Sequence, residues 1–228
     1  MIRYVLLLIV LFSMSINAQS SGDSAVGSKY LEDQFYVGLN YNFLLNKPDN
    51  VTQSNLSYGL QGGIIKDIPI NARRNIAFGI GLGYSVNSYF TNLQVTETTD
   101  GFQYRVLESG TSFKRSKIET HAIEMPIEFR WRNSTADSYK FWRVYTGVKL
   151  GYVVGSRSKF VSMDEKFSFY NTDTVNFQYG IMINLGYNTF NVHAYYALNE
   201  FFESGTQTVD NSNIDFTPLR IGIIFYIL

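Results

Sequence analysis

Carboxylates and a guanidinium recur at even spacing in "EMPIEFR", where Glu124, Glu128 and Arg130 alternate with apolar neighbours. Lys149, His193 and Arg220 occupy equivalent places in three later alternating stretches. Such a set could run acid–base catalysis about a histidine, pass protons or solutes, or neutralise itself inside a protein. Catalysis has few reagents here. Only His121 and His193 are available as near-neutral bases, and His121 falls among the apolar residues of its stretch. A nucleophile–His–carboxylate set could draw on His193 with Ser85 or Glu200, but no spacing favours it. The expectation is a non-enzymatic protein in which His193 is a hydrogen-bonded filler.

"IAFGIGLGYSV" raises a second possibility, a phosphate cradle, through Gly79, Gly81 and Gly83. A dinucleotide fingerprint spaces its glycines G-x-G-x-x-G and leads into a helix. Here Tyr84 holds the third glycine's place and the alternation simply continues. No cofactor or metal is expected, and the glycines read as small residues on one face of a strand.

Eight alternating stretches position these residues. Phe35, Val37, Leu39, Tyr41 and Phe43 oppose Tyr36, Gly38, Asn40 and Asn42; Leu56, Tyr58, Leu60 and Ile64 oppose Ser57, Gly59, Gln61 and Gly63. The glycine run is the third, and "THAIEMPIEFRWR" the fourth, with charge on its polar face. The others carry Lys149, Gln178 with Asn184, His193, and Arg220. After strands one, three, five and seven the gaps are polar and mostly long; after two, four and six they are shorter, down to Asn188-Thr189. Eight two-faced strands of about ten residues, with long and short connections in turn, predict an all-β fold: an eight-stranded antiparallel up-and-down transmembrane β-barrel.

A soluble lipocalin-like barrel also alternates, with its apolar face inward. The apolar set here includes Tyr41, Phe43, Phe129, Trp131, Tyr179, Phe190 and Tyr196, too bulky for so narrow a lumen. The opposite face is mostly Gly, Ala, Ser and Asn. The apolar side therefore belongs to lipid and the small polar side to the lumen, where Glu124, Glu128, Arg130, Lys149, His193 and Arg220 should form a structural ion-pair network. Tyr41, Phe43, Tyr89 and Phe90 toward one rim, and Trp131, Phe141, Trp142 and Tyr187 toward the other, read as aromatic girdles.

Nineteen basic and nineteen acidic residues cancel, which removes the basic excess of a nucleic-acid binder. Arg3, an apolar run from Val5 to Phe12 and a polar stretch to Ala18 lay out a cleaved signal peptide over 1–18. A periplasmic lead-in over 19–33 and the barrel over 34–228 would follow. Both termini would then be periplasmic. Arg220, Gly222, Phe225 and Ile227 follow the terminal-strand pattern read by the barrel-assembly machinery, a partner during insertion. Lys114, Arg115 and Lys117, at the foot of the longest outer gap, could meet outer-membrane lipids or lipopolysaccharide phosphates.

"EDQFYVGLNYNFLLNKP", "IKDIPINARRNIAFGIGLGYS", "EMPIEFRWR" and "YKFWRVYTGVKLGYV" together resemble the PorT-like outer-membrane β-barrel family of Bacteroidota. The resemblance covers essentially the whole mature chain. It implies an accessory component of type IX protein secretion, with other components of that system as partners, and a part in gliding motility where that occurs. It implies no catalytic residue. Docking would fall to the rims: turns 66–75 and 132–142 and the 94–117 outer loop. A generic structural or adhesive barrel, and a lipid-modifying enzyme, are the alternatives.

Overall fold

The computed structural model describes residues 34–53, 55–108, 110–133, 141–188 and 190–227; the expected signal peptide and lead-in lie outside them, as does most of the 132–142 turn. Eleven strands form among the described residues. They are β1 (Gln34–Leu45), β2 (Tyr58–Pro69), β3 (Ile76–Phe90), β4 (Leu93–Thr98), β5 (Gly101–Val106), β6 (Arg115–Arg132), β7 (Trp142–Val161), β8 (Lys166–Tyr170), β9 (Phe177–Tyr187), β10 (Phe190–Ala197) and β11 (Thr217–Ile227). Eight of them, β1, β2, β3, β6, β7, β9, β10 and β11, each pair antiparallel with the next. Pairing of β1 with β11, from Phe35 opposite Ile227 to Leu45 opposite Thr217, closes the ring. Closure leaves no open edge in the wall, so every wall strand satisfies its backbone within the sheet, which is the condition for crossing a bilayer.

Side chains sort by strand parity. Along β9, Phe177, Tyr179, Ile181, Ile183, Leu185 and Tyr187 are exposed, while Gln178, Gly180, Met182, Asn184 and Gly186 are buried. β1, β3 and β6 repeat the arrangement. Leu82 is 58% exposed and Ile64 53%, whereas Glu124 and Lys149 are 3% exposed. A wall that turns its hydrocarbon outward and its charges inward is stable only when lipid replaces water around it.

Two short-turn connections show how the strands reverse. Asn71 and Arg74 close the β2–β3 turn, with the Ile70 amide donating to the Ile76 carbonyl at 2.9 Å, so the connection is 70–75 and β2 itself continues to Pro69. Arg74 and Asn188 take positive φ, 54° and 55°, a conformation that asparagine tolerates better than most residues.

The gaps expected to be polar outer loops are instead partly folded. Residues 93–106 make the β4–β5 hairpin, and β8 extends the wall beside the far end of β7. β6 and β7 also run several residues past the expected strand ends. Between His121 and Ala122 their register shifts, because Val153 faces Ala122 and Gly155 faces His121. This bulge makes Val154 the extra residue and reverses the parity of β7 beyond it: Ser156, Ser158 and Phe160 are buried, and Arg157 is exposed.

Candidate functional site

Among the described residues the lumen holds two ion clusters. In one, Glu124 of β6 forms an ion pair with Lys149 of β7 (3.0 Å) and accepts from Arg220 of β11 (2.9 Å). Ser85 donates to the same carboxylate at 2.8 Å, Lys149 donates to Gln61 at 2.6 Å, and Arg220 lies 4.8 Å from the Tyr195 ring. In the other, Arg130 bonds Asp67 and, at 2.7 Å, Glu128, while Arg132 bonds Asp67 at 2.7 Å. The Arg130 guanidinium stacks on Tyr145 at 4.4 Å and Tyr226 at 5.2 Å. The second cluster balances two cations against two carboxylates. The first carries two cations on one carboxylate, which makes Glu124 its common anchor.

His193 is in the lumen but joins through an amide rather than a carboxylate. Its Nδ1 meets the Asn184 side-chain oxygen at 2.5 Å, and the Asn184 amide in turn donates to Glu128 (3.3 Å) and Tyr226 (3.1 Å). Asn184 faces His193 in the β9–β10 ladder, so a neutral partner is the first that the ring meets. Ser85 is committed to Glu124 and His193 to Asn184, and neither is bonded to the other. Asp67 and Arg132 belong to the network although the sequence reading passed over both. Asp67 lies six residues beyond Gln61 on the same face, and Arg132 two beyond Arg130; following the alternation to the strand ends would have found them.

Glycines give these groups their room. A β-carbon on Gly79 would stand 2.8 Å from Arg130 Nε, and one on Gly81 would stand 2.7 Å from the Ile64 carbonyl and 2.9 Å from Pro126. One on Gly83 would collide with the Tyr36 hydroxyl. What free space remains among Tyr36, Gln61, Glu128, Lys149, His193 and Tyr226 is about 10 Å³, room for roughly one water.

At the long-loop end a second core closes the barrel. Leu44, Val51, Tyr89, Leu93, Val95, Tyr104, Ile118, Phe201, Phe202, Ile214 and Phe216 are all buried together. Tyr89, expected in an aromatic girdle, is among them, its ring 5.1 Å from Phe201. It follows Asn87 on the lumen parity of β3, so it points in rather than toward lipid. Trp131, Trp142 and Tyr187 do face outward at the opposite rim, the last two paired at 5.0 Å. Tyr104 fastens the cap: its hydroxyl donates to Asp173 at 2.9 Å and its ring packs edge-on against Phe202 at 5.2 Å. Burial, seconded by the Asp173 charge, pushes the Tyr104 hydroxyl far above an ordinary phenol, so it remains a donor.

On the terminal strand Arg220 lies in the lumen with Gly222 on the same parity, while Phe225 and Ile227 take the opposite parity and Ile227 is exposed. Lys114 precedes β6, and Arg115 and Lys117 sit on its outward parity.

Closed ring, apolar exterior and charged, filled interior define an integral outer-membrane barrel, and the family comparison agrees. The model of the outer membrane protein beta-barrel domain matches residues 17–203, and the chain belongs to that family. Among solved structures it is similar to Ail, the attachment invasion locus protein of Yersinia pestis, at 12% identity over 85% of this chain and 97% of that one, with a TM-score of 0.34. A mutant porin of Rh. blastica aligns at 10% identity over 86% and 99%, with a TM-score of 0.21. No curated protein matches the chain.

Proposed function

We propose that this protein is a non-enzymatic accessory of type IX secretion, acting in the outer membrane by docking other components at its rims rather than by conducting a substrate. The observation that carries the docking mode is the doubly closed lumen: its two ion clusters fill it from side to side, the cavity beside His193 holds about 10 Å³, and a folded cap lies over one end. A barrel so filled has only its rims and its lipid-facing wall to offer a partner. The secretion system itself is suggested by the resemblance of the four segments quoted above to the PorT-like family. In this reading the short-turn rim, where both described ends of the barrel lie, faces the periplasm, and the 70–75 turn is its nearest docking element.

The test is an in-frame deletion followed by an assay for export of cargo carrying C-terminal sorting domains, and of gliding where the cell glides. Cargo retained in the periplasm, with export restored by the wild-type gene, is the expected result. Unimpaired export would leave the generic structural barrel as the better reading. Orientation is tested separately by surface accessibility of an epitope placed between Ser162 and Glu165 on intact cells.

A further inference from the structure

Beyond the bulge, β6, β7 and β8 turn five cations outward: Arg115 and Lys117, Arg157 and Lys159, and Lys166. The ladder sets Lys117 directly opposite Lys159, Glu119 opposite Arg157, and Ser168 opposite Lys159. Glu119 is the one carboxylate that the described residues of these strands place on that face, Asp164 and Glu165 being at the hairpin tip. Its oxygens are already engaged by Lys117, by Ser88 at 2.8 Å and by His121 at 3.7 Å. Arg157 meanwhile donates to Ser168 at 2.7 Å. Like charges facing each other across a ladder cost stability, and this face answers five cations with one anion.

Its position says which anion would complete it. On the same parity of β6 the residues below are Ile123, Met125, Ile127, Phe129 and Trp131, and on β7 they run from Val144 to Val154. The ten steps from Trp131 to His121 cover roughly 24 Å of membrane normal at the usual strand tilt, the height of a barrel's apolar band. Tyr84 and His121, hydrogen-bonded at 2.7 Å, mark its upper edge. The cations begin just beyond that edge, on the lipid side of the wall and at headgroup height.

We propose that this face binds the phosphate groups of a phosphorylated lipid in the leaflet at the long-loop rim. Arg157, Lys159 and Lys166 meet the phosphates, while Ile123, Tyr152 and Val154 below them meet the acyl chains. A free phosphate or a soluble polyanion would match the cations but leave that adjoining apolar wall unused. The site does not depend on a role in secretion.

The purified full chain is placed in zwitterionic nanodiscs doped with bisphosphorylated lipid A or with its dephosphorylated counterpart, and bound lipid is counted by native mass spectrometry. The phosphorylated form should be enriched over the dephosphorylated one. The triple variant Arg157→Gln, Lys159→Gln, Lys166→Gln should weaken retention on the order of a hundredfold, about fivefold for each cation. Equal retention by the triple variant, equal retention of the dephosphorylated lipid, or complete displacement by millimolar inorganic phosphate overturns the proposal. Heat-modifiable migration reports folding; if the triple variant does not fold, Lys159→Gln and Lys166→Gln are measured singly, each with an expected loss of about fivefold.

Discussion

The hydroxyl of Tyr36, on β1, occupies the space that a β-carbon on Gly83, two strands away on β3, would need. β2 lies between them and contributes Gly63, whose β-carbon would stand 2.8 Å from the same oxygen. A tyrosine thus crosses the lumen over two glycines, and the missing side chains are part of the packing.

Gly83→Ala should therefore destabilise the barrel by about 1–3 kcal/mol, the usual cost of overpacking. Removing the hydroxyl in Tyr36→Phe/Gly83→Ala should recover part of that loss. Urea midpoints followed by heat-modifiable migration measure both. Gly81→Phe should hinder folding outright, since even its β-carbon would meet Ile64 and Pro126. Recovery of correctly migrating Gly81→Phe in normal yield would count against the packing role.

Glu124 anchors two cations, so Glu124→Gln leaves Lys149 and Arg220 buried without a carboxylate. The expected loss is about 3–5 kcal/mol. Arg220→Gln leaves a balanced Glu124–Lys149 pair and should cost less. Equilibrium unfolding of the already assembled proteins makes the comparison, because it is independent of any effect on insertion.

Reconstituted in planar bilayers, the protein should show no stable steps of porin size. The network between Asp67 and Arg220 occupies the lumen, and the cap lies beyond it. Long-lived channels of that size would mean that the interior is not filled as described.

Phe202→Ala should cost about 3–5 kcal/mol of cap packing while the wall still migrates as a folded barrel. The readout is faster proteolysis within 93–106 and 199–216.

Tyr104 gives the cap a pH dependence of defined sign. Its folded pKa is raised well above that of an ordinary phenol, chiefly by burial. Its contribution is therefore complete below about pH 10 and is lost as pH climbs above that value toward the folded pKa. Cap proteolysis should be flat through neutral pH and accelerate in strong alkali. Tyr104→Phe should flatten the alkaline rise at the cost of a weaker cap near neutrality.

The wall was legible because period-two alternation states both which residues share a face and, through the bulk of Phe129 or Trp131 against Gly79 or Ser85, which face meets lipid. Lumen charges followed from parity, with two exceptions: Asp67 was passed over because the second stretch was ended near Ile65, and Arg132 because it is the last residue of the fourth. The cap was not legible. Its members come from positions 44, 51, 89–104, 118 and 201–216, which share no period, and only tertiary contact shows that they form one core. Tyr89 was misplaced for a related reason: nearness to a strand end suggested a girdle, whereas its parity pointed inward.

Val154, the residue left over in the β6–β7 ladder, sets the border between two solvents. Below it the sheet is oily outside and charged within, as hydrocarbon demands; above it the same strands carry Arg157 and Lys159 outside and Phe160 within, as a polar headgroup layer demands. Excising that single residue would slide every later side chain of β7 to the wrong side, turning Arg157 and Lys159 inward and the buried Phe160 ring outward. One unpaired position thus lets a continuous ribbon obey opposite rules at its two ends.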